Sequence, residues 1–173
     1  ALDDRVGCYI LIEIAKKLKN KNVVFVGTAQ EEVSTFGKGA MIAAYNIEPS
    51  NFIAVDTAIA GDHPEMVEDE AIIHLFKGPV ITLVEAGGRG NVADKKLREI
   101  CINVAKKNKI EYQLEVIEGG ATDAASVYGE KGGIPSIAIC VPTRYIHSNV
   151  AVCSIEDIEK TANYLVKLVE ELA

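Results

Sequence analysis

Short apolar runs alternate with amphipathic helical segments along the whole chain. Residues 23–29, 52–55 and 136–141 are almost wholly apolar, which is typical of strands covered on both faces. Residues 5–18 and 92–107 instead carry apolar side chains at helical spacing. This alternation predicts an α/β three-layer sandwich with a mostly parallel central sheet. We find no repeat, linker or low-complexity tract, so we expect one domain over the 173 residues.

Composition excludes several classes of function. The net charge is -7, and no basic face of the kind that binds nucleic acid is visible. No apolar run reaches the roughly 20 residues that a membrane-spanning helix needs, and no signal peptide is visible. The four cysteines form no CxxC pair, so we expect free thiols and a cytoplasmic location.

Acidic residues and a histidine follow the apolar runs, where the ends of parallel strands meet at one edge of a sheet. Carboxylates in such places are costly unless they are paired, hydrogen-bonded or bound to metal. Oxygen and imidazole ligands without thiolates suit Zn²⁺, Co²⁺ or Mn²⁺. The sequence therefore predicts a metal site built from Asp3, Glu31, Glu32, Asp56 and His147, with Asp4 beside it.

Each of these residues also has an ordinary structural interpretation. Asp3 and Asp4 precede a helix, and acids at a helix N-terminus are favourable caps. Glu31 and Glu32 would be unremarkable at a solvated helix start, and so would His147 in a surface loop. The ordered combination of all of them is what favours a site.

The motifs resemble those of the M42 family of dinuclear metallo-aminopeptidases, which includes glutamyl, leucyl and TET-like enzymes. The resemblance extends over essentially the whole chain. It is carried in chain order by Ala-Leu-Asp-Asp-Arg-Val-Gly at 1–7, Gln-Glu-Glu-Val at 30–33, Ala-Val-Asp at 54–56, Ala-Gly-Asp at 60–62, Lys-Gly-Pro at 77–79, Gly-Gly-Ala-Thr-Asp-Ala at 119–124 and Arg-Tyr-Ile-His-Ser at 144–148.

The resemblance implies a zinc-peptidase-like fold and two divalent metal ions, with zinc or cobalt expected. Asp3 would bridge the metals, Glu32 and His147 would hold one of them, and Asp56 would hold the other. Glu31 would be the general base that takes a proton from a metal-bridging water. Asp4 would support catalysis, with a cis peptide bond before it.

The same resemblance implies peptide substrates, from which N-terminal residues are released. Thr122 and Asp123 are expected either to line the substrate pocket or to stabilise their own loop. Arg144 is expected either to contact the substrate or to orient a carboxylate of the site. Family members carry a small β-rich domain used in assembling dodecameric shells, so a homo-oligomer is expected for the full-length protein.

Two family features are missing from this sequence, namely an upstream metal-ligand histidine and the inserted β-rich domain. We therefore expect residues 1–173 to be a catalytic-type domain that is incomplete on its N-terminal side. His63 or His74 could replace the missing ligand in principle. Two alternative functions stay open: a truncated, catalytically impaired metal-binding fragment, and a glycan hydrolase of endoglucanase type. The absence of Trp disfavours a sugar-binding platform.

Overall fold

The computed structural model describes residues 2–19, 22–33, 37–64, 66, 72–87 and 90–172, so Ala1 of the first motif lies outside the described residues. Five α-helices are present in these ranges: α1 (Arg5–Lys17), α2 (Lys38–Ile47), α3 (Lys95–Lys107), α4 (Asp123–Val127) and α5 (Ile155–Leu172). The strands are β1 (Phe52–Ile59), β2 (Val80–Glu85), β3 (Asn91–Val92), β4 (Gln113–Ile117), β5 (Ser136–Arg144) and β6 (Val152–Cys153), and a 3-10 helix spans Glu130–Gly132. None of the described helices is long and apolar enough to span a bilayer.

The six strands form one mixed sheet with helices on both faces. β1 pairs in parallel with β5 over eight residues, and β2 pairs in parallel with β4. β5 and β2 are antiparallel, and the short β3 and β6 pair antiparallel with β2 and β5. α1, α3 and α5 pack on one face of the sheet, while α2 and α4 pack on the other. The predicted three-layer α/β sandwich is confirmed, and its sheet consists of two parallel halves that run in opposite directions.

Residues 23–29 were predicted to be a central strand, and this prediction is wrong for the described structure. The segment belongs to no strand, and the backbone hydrogen bond that reaches it within the described residues runs from Gly39 N to Ala29 O. Val24 is 62% exposed and Phe25 is 36% exposed. An apolar run becomes a strand only when a neighbouring backbone pairs with it, and the described residues supply none.

Two strands continue beyond their predicted ends. β1 was predicted to end before Asp56 but continues to Ile59, because its parallel pairing with β5 persists. Asp56 therefore lies inside β1, opposite Cys140 of β5. β5 likewise extends to Arg144, so the turn that carries His147 starts directly at the strand end.

The N-terminus of α5 ties the last helix to the loop before β2. Ser154 caps the helix, because its Oγ accepts hydrogen bonds from the backbone N–H groups of Glu156 and Asp157. Asp157 is fully buried, and its two carboxylate oxygens accept from Phe76 N at 2.6 Å and Gly78 N at 2.9 Å. The carboxylate thus holds a distant turn.

We expect Asp157→Ala to destabilise the protein by roughly 2 to 4 kcal/mol, because two buried backbone N–H groups lose a charged acceptor. Ser154→Ala, which removes only the helix cap, should cost about 1 kcal/mol. Urea unfolding of both variants measures the difference. Equal losses would show that the Asp157 contacts add nothing beyond the cap.

Candidate metal centre

Two groups of ligand atoms meet at Asp3. Asp3, Glu32 and His147 offer atoms that lie within 4.8 Å of one another, and so do Asp3, Asp4 and Asp56. His147 Nε2 lies 3.1 Å from Asp3 Oδ2 and 3.5 Å from Glu32 Oε2. The structure therefore brings together all four residues predicted as metal ligands, in two groups that share Asp3.

Asp4 combines two structural roles at the start of α1. Its Oδ1 accepts the Gly7 N–H at 2.8 Å, which makes it the helix N-cap. The Asp3–Asp4 peptide bond is cis, as the resemblance predicted. A Cβ on Gly7 would lie only 2.1 Å from Asp4 Oδ2, so this position must be glycine for the Asp4 carboxylate to approach. The capping interpretation is correct for Asp4, and its carboxylate also belongs to the group with Asp3 and Asp56.

The turn after β5 presents His147 to the cluster. Tyr145 and His147 both have positive φ, of 55° and 60°, a conformation that few non-glycine residues adopt. Arg144 precedes this turn and donates from Nε and Nη2 to the two oxygens of Asp62, at 2.8 and 2.7 Å. The His63 ring lies 4.5 Å from the Tyr145 ring. These contacts fasten the His147 turn to residues 62–63.

The electrostatics of the cluster are those of acids crowded together without a cation. Burial raises the pKa of Asp4 to about 7, and the Asp3 charge adds to the effect, although the Gly7 hydrogen bond opposes it. Burial also raises the pKa of Glu31 to about 7, with further contributions from Asp123 and Glu32.

The two remaining carboxyl groups show the same direction of change. The pKa of Asp56 is raised well above its usual value, first by burial and then by the Asp4 charge. The pKa of Glu32 is raised by burial and by Asp3, while His147 lowers it. Protonation at each of these positions relieves repulsion, and a divalent cation would relieve it more effectively.

The other candidate residues lie around these two groups. His63 Nδ1 donates to the Pro64 carbonyl oxygen at 2.9 Å, and His74 is exposed. Neither histidine joins a metal-binding group within the described ranges. Thr122 caps α4 by accepting the Ala124 N–H, and Asp123 accepts from Thr28 Oγ1. These residues support structure near the site.

Two acidic residues that support the surroundings of the site, Asp62 and Glu85, were not singled out from the sequence. Asp62 was noted only within a motif, although it pairs with Arg144. Glu85 is 2% exposed and accepts from Thr122 N at 2.7 Å and Asn91 Nδ2 at 3.1 Å. Glu85 is the last residue of the apolar strand β2. A search for acidic residues at the ends of apolar runs, which identified Asp56, would also have identified Glu85.

The donor set fits divalent metal ions. Within the described residues, Asp3 stands between a group with one imidazole and a group made only of carboxylates. Neighbouring carboxylates that share a residue are the ligand arrangement of two-metal hydrolytic sites. Glu31 lies next to Glu32 in the chain but belongs to neither ligand group found among the described residues.

Comparisons with known proteins agree with this geometry. A family model described as M42 glutamyl aminopeptidase matches residues 1–164. The chain belongs to the M42 aminopeptidase family. An aminopeptidase of known structure from the archaeon Desulfurococcus kamchatkensis is 37% identical with a TM-score of 0.91, over 99% of this chain and 48% of its own.

Two further relatives extend the comparison. A sequence from Acetivibrio thermocellus, named provisionally as an aminopeptidase, is 39% identical over 98% of this chain and 50% of its own length. The Pyrococcus horikoshii TET1 peptidase, whose structure is described as assembling into a tetrahedron or a large octahedral shell, is 34% identical with a TM-score of 0.72, over 99% of this chain and 48% of its own. The chain thus spans about half the length of these relatives.

We expect Asp4→Asn to stabilise the metal-free protein at pH 8 but not at pH 4. The folded-state pKa of Asp4 is raised to about 7, so the folded protein holds a proton that the unfolded chain has lost. Stability therefore falls as the pH rises from about 4 to 7 and stays lower above that range. Asn keeps the cap and removes the charge, for a gain on the order of 1 to 3 kcal/mol at pH 8.

Urea unfolding in the presence of chelator, at pH 4 and pH 8, measures this difference. Asp94→Asn is the matched control, because Asp94 caps α3 through Leu97 N in the same way. A similar pH response in both variants would show that crowding at Asp4 has no energetic effect.

Proposed function

We propose that this chain supplies the chemical centre of a metal-dependent aminopeptidase, which releases N-terminal residues from peptides. The observation that carries the proposal is the meeting of two ligand groups at Asp3, with Glu31 alongside. In this proposal Glu32 and His147 would hold one metal ion, Asp56 would hold the second, and Asp3 would contribute a carboxylate to both sites. Zinc and cobalt suit the donor set.

Two divalent ions, when bound, would polarise the scissile carbonyl and make a water molecule more acidic. The residues of this chain would do the remaining work. Glu31, whose side chain is half-buried and whose pKa is raised by burial to about 7, would accept the proton of the attacking water in its ionised form and return it to the leaving amine. Asp4 would keep the first turn of α1 in place beneath Asp3 through its cap.

The ligand groups also favour one alternative within the same chemistry. The group of Asp3, Asp4 and Asp56 contains no histidine among the described side chains, whereas the other group contains His147. A metal-binding fragment without turnover would therefore hold about one metal ion tightly, through Asp3, Glu32 and His147. A complete dinuclear site would hold two.

A glycan hydrolase is the less favoured reading. Glycosidases hold their two carboxyl groups roughly 5 to 9.5 Å apart, to leave room for the sugar and water. The carboxylates that meet at Asp3 have oxygen atoms within 4.8 Å of one another and include a histidine partner. Such crowding suits a cation better than a sugar ring.

The proposal extends to the assembly and location of the full-length protein. Because the relative from Pyrococcus horikoshii assembles into shells, we propose a homo-oligomer for the full-length protein. The four free cysteines, two of them buried, favour a reducing compartment and hence the cytoplasm. Peptides are the proposed partners at the site.

We expect Glu31→Gln to lower kcat for release of N-terminal residues by at least about 100-fold, the usual contribution of a general base. Metal content should not change, because Glu31 lies outside both ligand groups. Glu99→Gln, on the exposed side of α3, is the control and should retain full activity. Peptide release is followed by amine detection, and bound metal by elemental analysis.

Chelator should abolish release in the unmodified protein, and zinc or cobalt should restore it. Activity that survives chelator, or that survives Glu31→Gln, would contradict the proposed mechanism. One tightly bound metal ion without any release would instead support the fragment alternative. Release of reducing sugar from β-glucan would support the glycan hydrolase.

A further inference from the structure

Two residues that flank the segment of the chain carrying Glu31 and Glu32, namely Thr28 and Gly37, are each hydrogen-bonded to α4. On one side, Thr28 Oγ1 donates to Asp123 Oδ2 at 2.7 Å. On the other, Gly37 N donates to Ser126 Oγ at 2.7 Å. A third contact, from Gly39 N to Ala29 O at 3.1 Å, draws the two flanks of the segment together.

α4 is itself fixed to the sheet. Its N-cap, Thr122, donates its backbone N–H to the buried carboxylate of Glu85 at 2.7 Å, and Asn91 holds the other oxygen of that carboxylate. The Ala124 and Val127 side chains of α4 are fully buried. A short helix anchored in this way is a rigid platform for the residues that it holds.

Asp123 packs tightly against the far end of the segment. The residue is 8% exposed, and its Oδ1 is buried without a hydrogen-bond partner in the described part of the chain. A Cβ on Gly37 would lie 1.9 Å from that oxygen. Only glycine leaves room for the carboxylate, so Asp123 sets how closely α4 and the segment approach each other.

We propose that Asp123, acting through Thr28, is a positioning residue for Glu31 and Glu32. Thr28 lies three residues before Glu31, in a run for which the described residues provide no strand partner. The inference rests on the proposed metal site, since Glu32 is one of its ligands. It gives Asp123 a role in place of the direct substrate contact that the family resemblance suggests.

Metal affinity tests the inference without requiring turnover. Thr28→Val keeps the shape of the side chain and removes the donor, so Co²⁺ affinity should fall about 10- to 100-fold, as it does when supporting hydrogen bonds behind a metal ligand are lost. Thr28→Ser restores the hydroxyl and should restore affinity. Asp123→Ala should match Thr28→Val, and combining the two changes should add little, because both remove one interaction.

The matched control is Thr161→Val. Thr161 is buried and its hydroxyl donates to Asp157 O, far along the chain from the site, so the same change should lower stability without changing Co²⁺ affinity. Co²⁺ titration by visible absorption and urea unfolding are measured on every variant. If Thr28→Val fails to fold, the comparison of Asp123→Asn with Asp123→Ala decides, because Asn retains an acceptor oxygen for Thr28.

The outcomes separate the two proposals. If the unmodified protein binds no Co²⁺, or binds it equally well after His147→Ala, the metal-site proposal fails. If the unmodified protein binds Co²⁺ through His147 but Thr28→Val or Asp123→Ala binds it with unchanged affinity, the positioning role is overturned. Loss of affinity in Thr161→Val equal to that in Thr28→Val would overturn it as well.

Discussion

The crowding of carboxylates around Asp3 is the constraint on which the rest of this structure depends. Acids whose oxygen atoms lie within 4.8 Å of each other repel strongly once burial removes the screening of water. Two hydrogen bonds offset part of this cost. The backbone N–H of Gly7 donates to the Asp4 carboxylate, and the backbone N–H of Thr57 donates to the Asp56 carboxylate. These bonds oppose the increase in pKa without removing it, which is why a cation is the natural complement.

The fold brings these acids together through one pair of strands and one helix start. β1 and β5 run in parallel over eight residues, so Asp56 and the turn that carries His147 lie toward the same edge of the sheet. α1 packs against β1 and α5, which brings Asp3 and Asp4 to that edge at its N-terminus. The other parallel half, β2 and β4, runs in the opposite direction and supplies support through Glu85.

Sequence reasoning predicted the parts of this structure that depend on local pattern. The helical spacing of residues 5–18 and the apolar run at 136–141 gave α1 and β5 within a few residues. Helix α3 starts three residues later than predicted, because Asn91 and Val92 pair with β2. The Asp123–Thr28 bond joins residues 95 positions apart and leaves no trace in local spacing, so only the folded structure reveals it.

The predicted strand at residues 23–29 is the largest departure of the structure from the sequence-based expectation. An apolar run predicts burial, but a strand also needs a partner backbone, and the described residues leave Val24 and Phe25 partly exposed instead.

This run leads directly into Glu31 and Glu32, whose placement must be accurate to well under 1 Å for the proposed chemistry. The described residues supply no hydrogen-bonded ladder for this run, so its side-chain contacts help to fix its end. The Thr28 hydroxyl and the Asp123 carboxylate make one such contact, and Ser126 holds the segment again at Gly37. Asp123 Oδ1 is buried without a hydrogen-bond partner among the described residues, and the proposed positioning of Glu31 and Glu32 would account for that unfavourable burial.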